Sequence, residues 1–181
     1  MPNYVISSIG KDKPGIVGAF TEVLFKTGCN IEDASMTILC NQFAMILIIS
    51  TPDDFNIGEM KQALKSVETK FNLFTSIKHI AENDINGLNS DSYKPHIISV
   101  SGSDKTGIAY HITNILAEHK VNITDFNSKL ISKKANPVYI MMIETRIPAE
   151  TDMLKLTQKL KNKAEEINVD LTIKEIELCE L

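Results

Sequence analysis

The sequence predicts an α+β protein made of one βαββαβ unit written twice. Three observations carry this. Short β-branched runs alternate with amphipathic helical stretches in a fixed order. The stretch G-K-D-K-P-G-I (Gly10–Ile16) returns as G-S-D-K-T-G-I (Gly102–Ile108), with Asp12 and Asp104 standing 92 positions apart. A polar segment rich in Asn, Asp, Ser and Gly, from Glu82 to Lys94, lies between the copies and has linker composition.

In the first copy, residues 4–9 read as a strand from their length and β-branched content. A helix is expected over 14–27, with Ile16, Phe20, Val23, Leu24 and Thr27 on one face. Pro14 suits its first position and Gly28 the position just past its end. Ile31–Leu39 and Phe43–Ser50 read as two strands joined by a hairpin turn at Cys40-Asn41-Gln42. Ile57, Met60, Leu64, Val67 and Phe71 mark an amphipathic helix that Asn56 and Glu59 are placed to cap. A last strand is expected over 73–80.

The second copy repeats the order. It has a strand at 96–101, a helix at 106–119, strands near 122–132 and 137–146, a helix at 151–168 and a strand at 169–178. Asn30-Ile31 matches Asn122-Ile123 and Asp33 matches Asp125. The register then slips by four residues between Pro52 and Pro148, and the extra residues are assigned to the polar stretch Lys133–Pro137.

This order is the ferredoxin-like arrangement: a four-stranded antiparallel sheet with two helices on one face. Domains are expected at 1–82 and 95–181, joined by a linker at 83–94. Phe43–Ile49 and Val138–Ile143 are apolar on both faces, so the open sheet faces are expected to be covered by a sister domain or another chain. A unit of this size is marginal alone, which points toward a homo-oligomer.

Composition narrows the function. Charged residues make up 23% and the net charge is −4, which gives no general attraction to nucleic acid. Three cysteines, an odd count with no C-x-x-C, indicate neither a disulfide framework nor a cysteine zinc site. His79, His96, His111 and His119 form no H-x-x-x-H or H-E-x-x-H pair. Phosphate-loop, dinucleotide and nucleophile-elbow motifs are absent, so no catalytic residues, metal or cofactor are expected. No signal peptide opens the chain, and the longest apolar run is far short of the ~20 residues that cross a bilayer. The expectation is a cytoplasmic, non-enzymatic protein without membrane contact.

The repeated loop is where a ligand is expected. It leads into the first helix, whose leading N–H groups lack intrahelical partners and carry partial positive charge. Such a terminus suits a small anion, for example an amino-acid carboxylate. Asp12 is placed to accept from the helix start or from a ligand ammonium. Asn30, read as lying at the same edge of the sheet, offers a donor and an acceptor. Asp, Pro and Gly are also ordinary turn formers, so a purely structural use of the loop stays open.

D-K-P-G-I-V after a strand, then a helix, then N-I-x-D opening a strand, resembles the ACT domain in both halves. The resemblance implies a regulatory module that binds amino acids at domain interfaces. Carried over position by position, its ligand residues are Asp12, Lys13, Gly15, Ile16, Asn30 and Ile31 in the first copy. In the second they are Asp104, Lys105, Gly107, Ile108, Asn122 and Ile123. Thr106 departs from the pattern, since Pro14 stands at its counterpart. A tandem pair with no catalytic domain implies a sensor of a small amino acid, glycine first, that contacts a DNA-binding transcriptional regulator. The alternative is a ligand-free interaction module.

Overall fold

The computed structural model describes residues 2–81, 92–131 and 137–176. The chain divides into two compact units, Met1–Gly87 and Leu88–Leu181. The first contains β1 (Asn3–Lys11), α1 (Ile16–Lys26), β2 (Asn30–Leu39), β3 (Gln42–Ser50), α2 (Ile57–Phe71) and β4 (Leu73–Ile80). The second contains β5 (Tyr93–Ser103), α3 (Ile108–Glu118), β6 (Asn122–Ile131), β7 (Val138–Pro148), α4 (Met153–Ile167) and β8 (Val169–Glu175). Each sheet is antiparallel, in the orders β2-β3-β1-β4 and β6-β7-β5-β8. The expected βαββαβ fold is thus present twice. Tyr93 and Lys94 already belong to β5, while the inserted stretch at 132–136 and most of the linker at 83–94 lie outside the described residues.

Alternation builds each core. Ile6 on β1 and Phe43, Met45, Leu47 and Ile49 on β3 point to one face, where they meet Phe20 and Leu24 of α1 and Met60 and Leu64 of α2. The second core repeats this with Ile98, Met141, Ile143, Ile112, Leu116, Leu156 and Leu160.

The first helix starts later than its sequence suggests. Gly15 takes the left-handed conformation (φ 92°) and becomes the N-cap, so Pro14 lies in the turn before the helix and not at its first position. Gly107 does the same at φ 97°. At the far end Gly28 (φ 67°) follows the C-cap as expected, but its counterpart is Lys120 (φ 56°), a side chain in a conformation that favours glycine. Cys40 and Asn41, both with positive φ, form the two-residue hairpin turn, and Leu39 pairs with Gln42. Asn56 caps α2, accepting from Gly58 and Glu59, and its amide donates to the Glu59 carboxylate.

Two glycines recur because the backbone is crowded there. A Cβ on Gly10 would lie 2.7 Å from Leu73 and 3.1 Å from the Asn72 carbonyl. On Gly102 it would lie 2.8 Å from Val169 and 3.2 Å from the Asn168 carbonyl. Asn72 and Asn168 are both left-handed C-caps that turn the second helix of each unit directly into its last strand.

Candidate functional site

Each repeated loop leaves β1 or β5 at the end of the sheet that holds the β2–β3 or β6–β7 connection. The Asp12 N–H donates to the Asn41 carbonyl at 2.9 Å, and the Asp104 N–H to the Pro137 carbonyl at 3.4 Å. The Lys13 ammonium donates to the carbonyl of Phe71, the last residue of α2, at 3.0 Å. Lys105 repeats this toward Ile167 of α4 at 3.5 Å. Both lysines, expected among ligand residues, are therefore bonded to a helix C-terminus, where a cation is favoured.

Beyond the lysines the chain reaches the left-handed glycine and then the helix. No side chain caps either helix start, so Asp12 does not take the capping place read for it from the sequence. Ile16 and Ile108 are buried core anchors, at 2% and 3% exposure. They can therefore offer a ligand only their backbone N–H groups. The two cradles differ in one wall. Phe71 carbon atoms lie nearest to where a Cβ on Gly15 would be, at 3.8 Å, whereas at Gly107 the nearest atom is His111 Nε2, at 3.4 Å.

The register places Asn30 elsewhere. Ser50 pairs with both Asn3 and Asn30, whereas Gln42 pairs with both Lys11 and Leu39. Asn30 thus sits at the opposite end of the sheet from Asp12, eight residues of strand or about 26 Å away. This corrects the expectation that loop and Asn30 share an edge. The physical reason is directional: β1 runs one way, α1 returns, and β2 starts where β1 started. Asn122 is placed likewise, paired with Arg146 and distant from Asp104. A free amino acid spans about 4 Å. One unit therefore cannot hold a ligand between its own loop and its own strand start.

The N-I-x-D stretch also carries a β-bulge, with the register shifting between Ile31 and Asp33 and again between Ile123 and Asp125. A bulge at this point re-aims the strand start, and it falls on an edge strand. All ten residues of β2 are exposed, including Ile31 at 45%. Sequence reasoning passed over Arg146. It is the chain's only arginine, it is exposed, and it lies beside Asn122, where the first unit has Ser50. Its guanidinium is a fork suited to a carboxylate. Its uniqueness in the composition was the available signal.

Each unit joins one four-stranded sheet to two helices and opens its first helix behind a left-handed glycine, which defines the class of tandem βαββαβ proteins, and comparison with known proteins names the family. The ACT domain model matches residues 3–78 and 94–174, and the chain belongs to the ACT domain family. The chain is 25% identical to the glycine cleavage system transcriptional repressor of Escherichia coli over 173 residues, covering 93% of this chain and 87% of that protein. A UPF0237 protein of Methanopyrus kandleri is 31% identical over 80 residues, covering 44% of this chain and 89% of its own length. Among solved structures, an unknown protein from Galdieria sulphuraria superposes with a TM-score of 0.83 at 23% identity, covering 97% of this chain and 98% of that one. Among the described residues no helix is long and apolar enough to cross a membrane.

Proposed function

We propose that this chain is a non-enzymatic regulatory protein that binds a small amino acid, glycine first among candidates. The signal would pass by protein contact to a DNA-binding transcriptional regulator. The observation that carries the proposal is the pair of uncapped helix starts, each behind a left-handed glycine, together with an Asn at the far end of the same sheet. The two half-sites of one unit are too far apart to share a ligand, so the complete site needs two units. The second half of the site comes from another copy of the chain, whose exposed β2 edge carries the Asn. The carboxylate then meets the helix N–H groups of one unit, and the ammonium meets the Asn side chain of the other. Binding that spans two units stabilises their packing by the ligand's differential affinity for it, which is how a small molecule moves a protein contact. The E. coli relative, by its name a transcriptional repressor of the glycine cleavage system, supports this choice of ligand and role.

Calorimetric titration of the full chain with glycine, alanine and serine tests this. One of them should bind, and Asp12→Ala with Asn30→Ala should abolish the heat while the thermal unfolding curve stays cooperative. Unchanged affinity in that double variant overturns the site.

A second reading, the ligand-free interaction module, is favoured by one observation: several recurring residues already have structural work. Gly10 and Gly102 admit the next strand, Lys13 and Lys105 hold a helix end, and Asp33 and Asp125 follow a bulge. Absence of heat with all three amino acids would support it.

A further inference from the structure

We propose that the open sheet face of the first unit is an isologous docking surface for a second copy of this chain, related by a two-fold axis running along the strands. The surface is the open sheet face, which includes outward side chains of the edge strands β2 and β4 but not the repeated loops or Asn30.

The two units share a fold but not an open face. In the first, three cross-strand rows lie on the side away from the helices: Phe74-Ile9-Ala44-Thr37, Ser76-Ser7-Ile46-Ser35 and Lys78-Val5-Ile48-Asp33. Ile9, Ile46 and Phe74 are 51%, 53% and 69% exposed. Small side chains, Ser7, Ser35 and Ala44, leave a shallow apolar hollow beside Phe74 and Ile46. In the second unit the matching rows are Asp170-Ser101-Ile140-Lys129, Thr172-Ser99-Met142-Asn127 and Lys174-Ile97-Glu144-Asp125. Charge stands there where the first unit has Phe74, Thr37 and Ile48. The second face is at home in water, and the first is the one that loses by staying wet.

Charge selects the occupant. Lys78 and Asp33 end the same row, on opposite edges of the sheet, with Val5 and Ile48 between them. Neither forms an ion pair among the described residues. Among the described residues Asp33 accepts only from the N–H of Ala34, at one carboxylate oxygen. A two-fold axis along the strands, passing between two stacked faces, lays each β4 over the partner's β2. Rows then oppose identical rows. Lys78 of each copy meets Asp33 of the other, and the two ion pairs flank an apolar centre of Val5, Ile48, Ile46 and Ile9. Stacked sheets pack about 30° off alignment, a rotation that long lysine side chains absorb at the edges. The face measures about 19 Å by 26 Å, so two copies bury about 1,000 Å² in total, the size at which specific interfaces begin. Self-complementarity of this kind is what a two-fold interface requires.

Sedimentation of the full chain over a range of concentrations tests the proposal, with circular dichroism as the folding control. Ile46→Lys should remove one level of association. Lys78→Asp alone and Asp33→Lys alone should each weaken that association at least about tenfold, because each faces like charge with like at two places. The double exchange, Lys78→Asp with Asp33→Lys, should restore it to within about threefold of the parent. An Ile46→Lys protein that is folded and unchanged in mass, or a double exchange no better than the single variants, overturns the proposal. The first result would assign the cover of this face to something other than a second copy.

Discussion

Lys13 donates its ammonium to the backbone carbonyl of Phe71 at 3.0 Å, joining the repeated loop to the last turn of α2. This contact ties the candidate ligand loop to the helix that packs beside it. Lys13 is exposed and the carbonyl is one of those left unpaired at a helix end, so the bond's net worth is modest. Lys13→Ala should lower the stability of the first unit by about 0.5–1 kcal/mol, read by urea unfolding. Lys105→Ala, whose bond is longer at 3.5 Å, should cost less.

The left-handed position after the first helix of each unit offers a paired test. Gly28 occupies it in one unit and Lys120 in the other. Lys120→Gly should stabilise the second unit by about 0.5–1 kcal/mol, while Gly28→Lys should destabilise the first by about 1 kcal/mol. Denaturant midpoints of the two variants should therefore move in opposite directions.

Gly10 and Gly18 should respond differently to the same added methyl group. A Cβ on Gly10 meets Leu73 at 2.7 Å and backbone at 3.1 Å, whereas one on Gly18 meets nothing within 4 Å. Gly10→Ala should cost about 1–3 kcal/mol through forced displacement of β4. Gly18→Ala, inside α1, should gain about 0.5–1 kcal/mol. Thermal unfolding compares them directly.

Much of this architecture was legible because it rests on periodicity. The spacing of Met60, Leu64, Val67 and Phe71 is the buried stripe of α2, and Asn56 with Glu59 is its cap. Three features were not legible that way. The start of α1 depends on Gly15 being left-handed, and composition alone fits Pro14 at the first helical position equally well. The bulge after Ile31 inserts one residue without disturbing the apolar pattern, since every side chain of β2 is exposed. The position of Asn30 was available by counting strand directions, because a helix that returns along the sheet must deliver the next strand to the starting end. Residue chemistry drew attention to Asp12 and Asn30 together, and topology separates them.

Acid should loosen the helical layer of the second unit. Lys159 on α4 donates to the Glu118 carboxylate at the end of α3 at 2.5 Å, and Asn114 donates to the same group at 2.8 Å. The hydrogen bond from Lys159, and then its charge, hold the Glu118 carboxyl below its ordinary pKa of 4.5. A group depressed on folding contributes stability that is complete above its unfolded pKa and is lost as pH falls through the folded one. Unfolding midpoints followed downward from pH 6 should therefore begin to fall near pH 4.5 and go on falling below it. Lys159→Met should flatten part of that decline. The pair is solvent-exposed, so added salt should flatten it too.

The central place of β1 in its sheet has a consequence for synthesis. β1 is made before both of its neighbours, β3 on one side and β4 on the other, with Asn3 registered against both Ser50 and Ile80. Its β3 edge can pair about forty residues later, but its β4 edge stays open until about seventy more residues have been made, several seconds at ordinary elongation rates. β5 repeats this wait for β7 and β8 in the second unit. The first unit can close while the second is still being made. Strands of the same topology that would otherwise compete for one another's partners are thus kept apart in time.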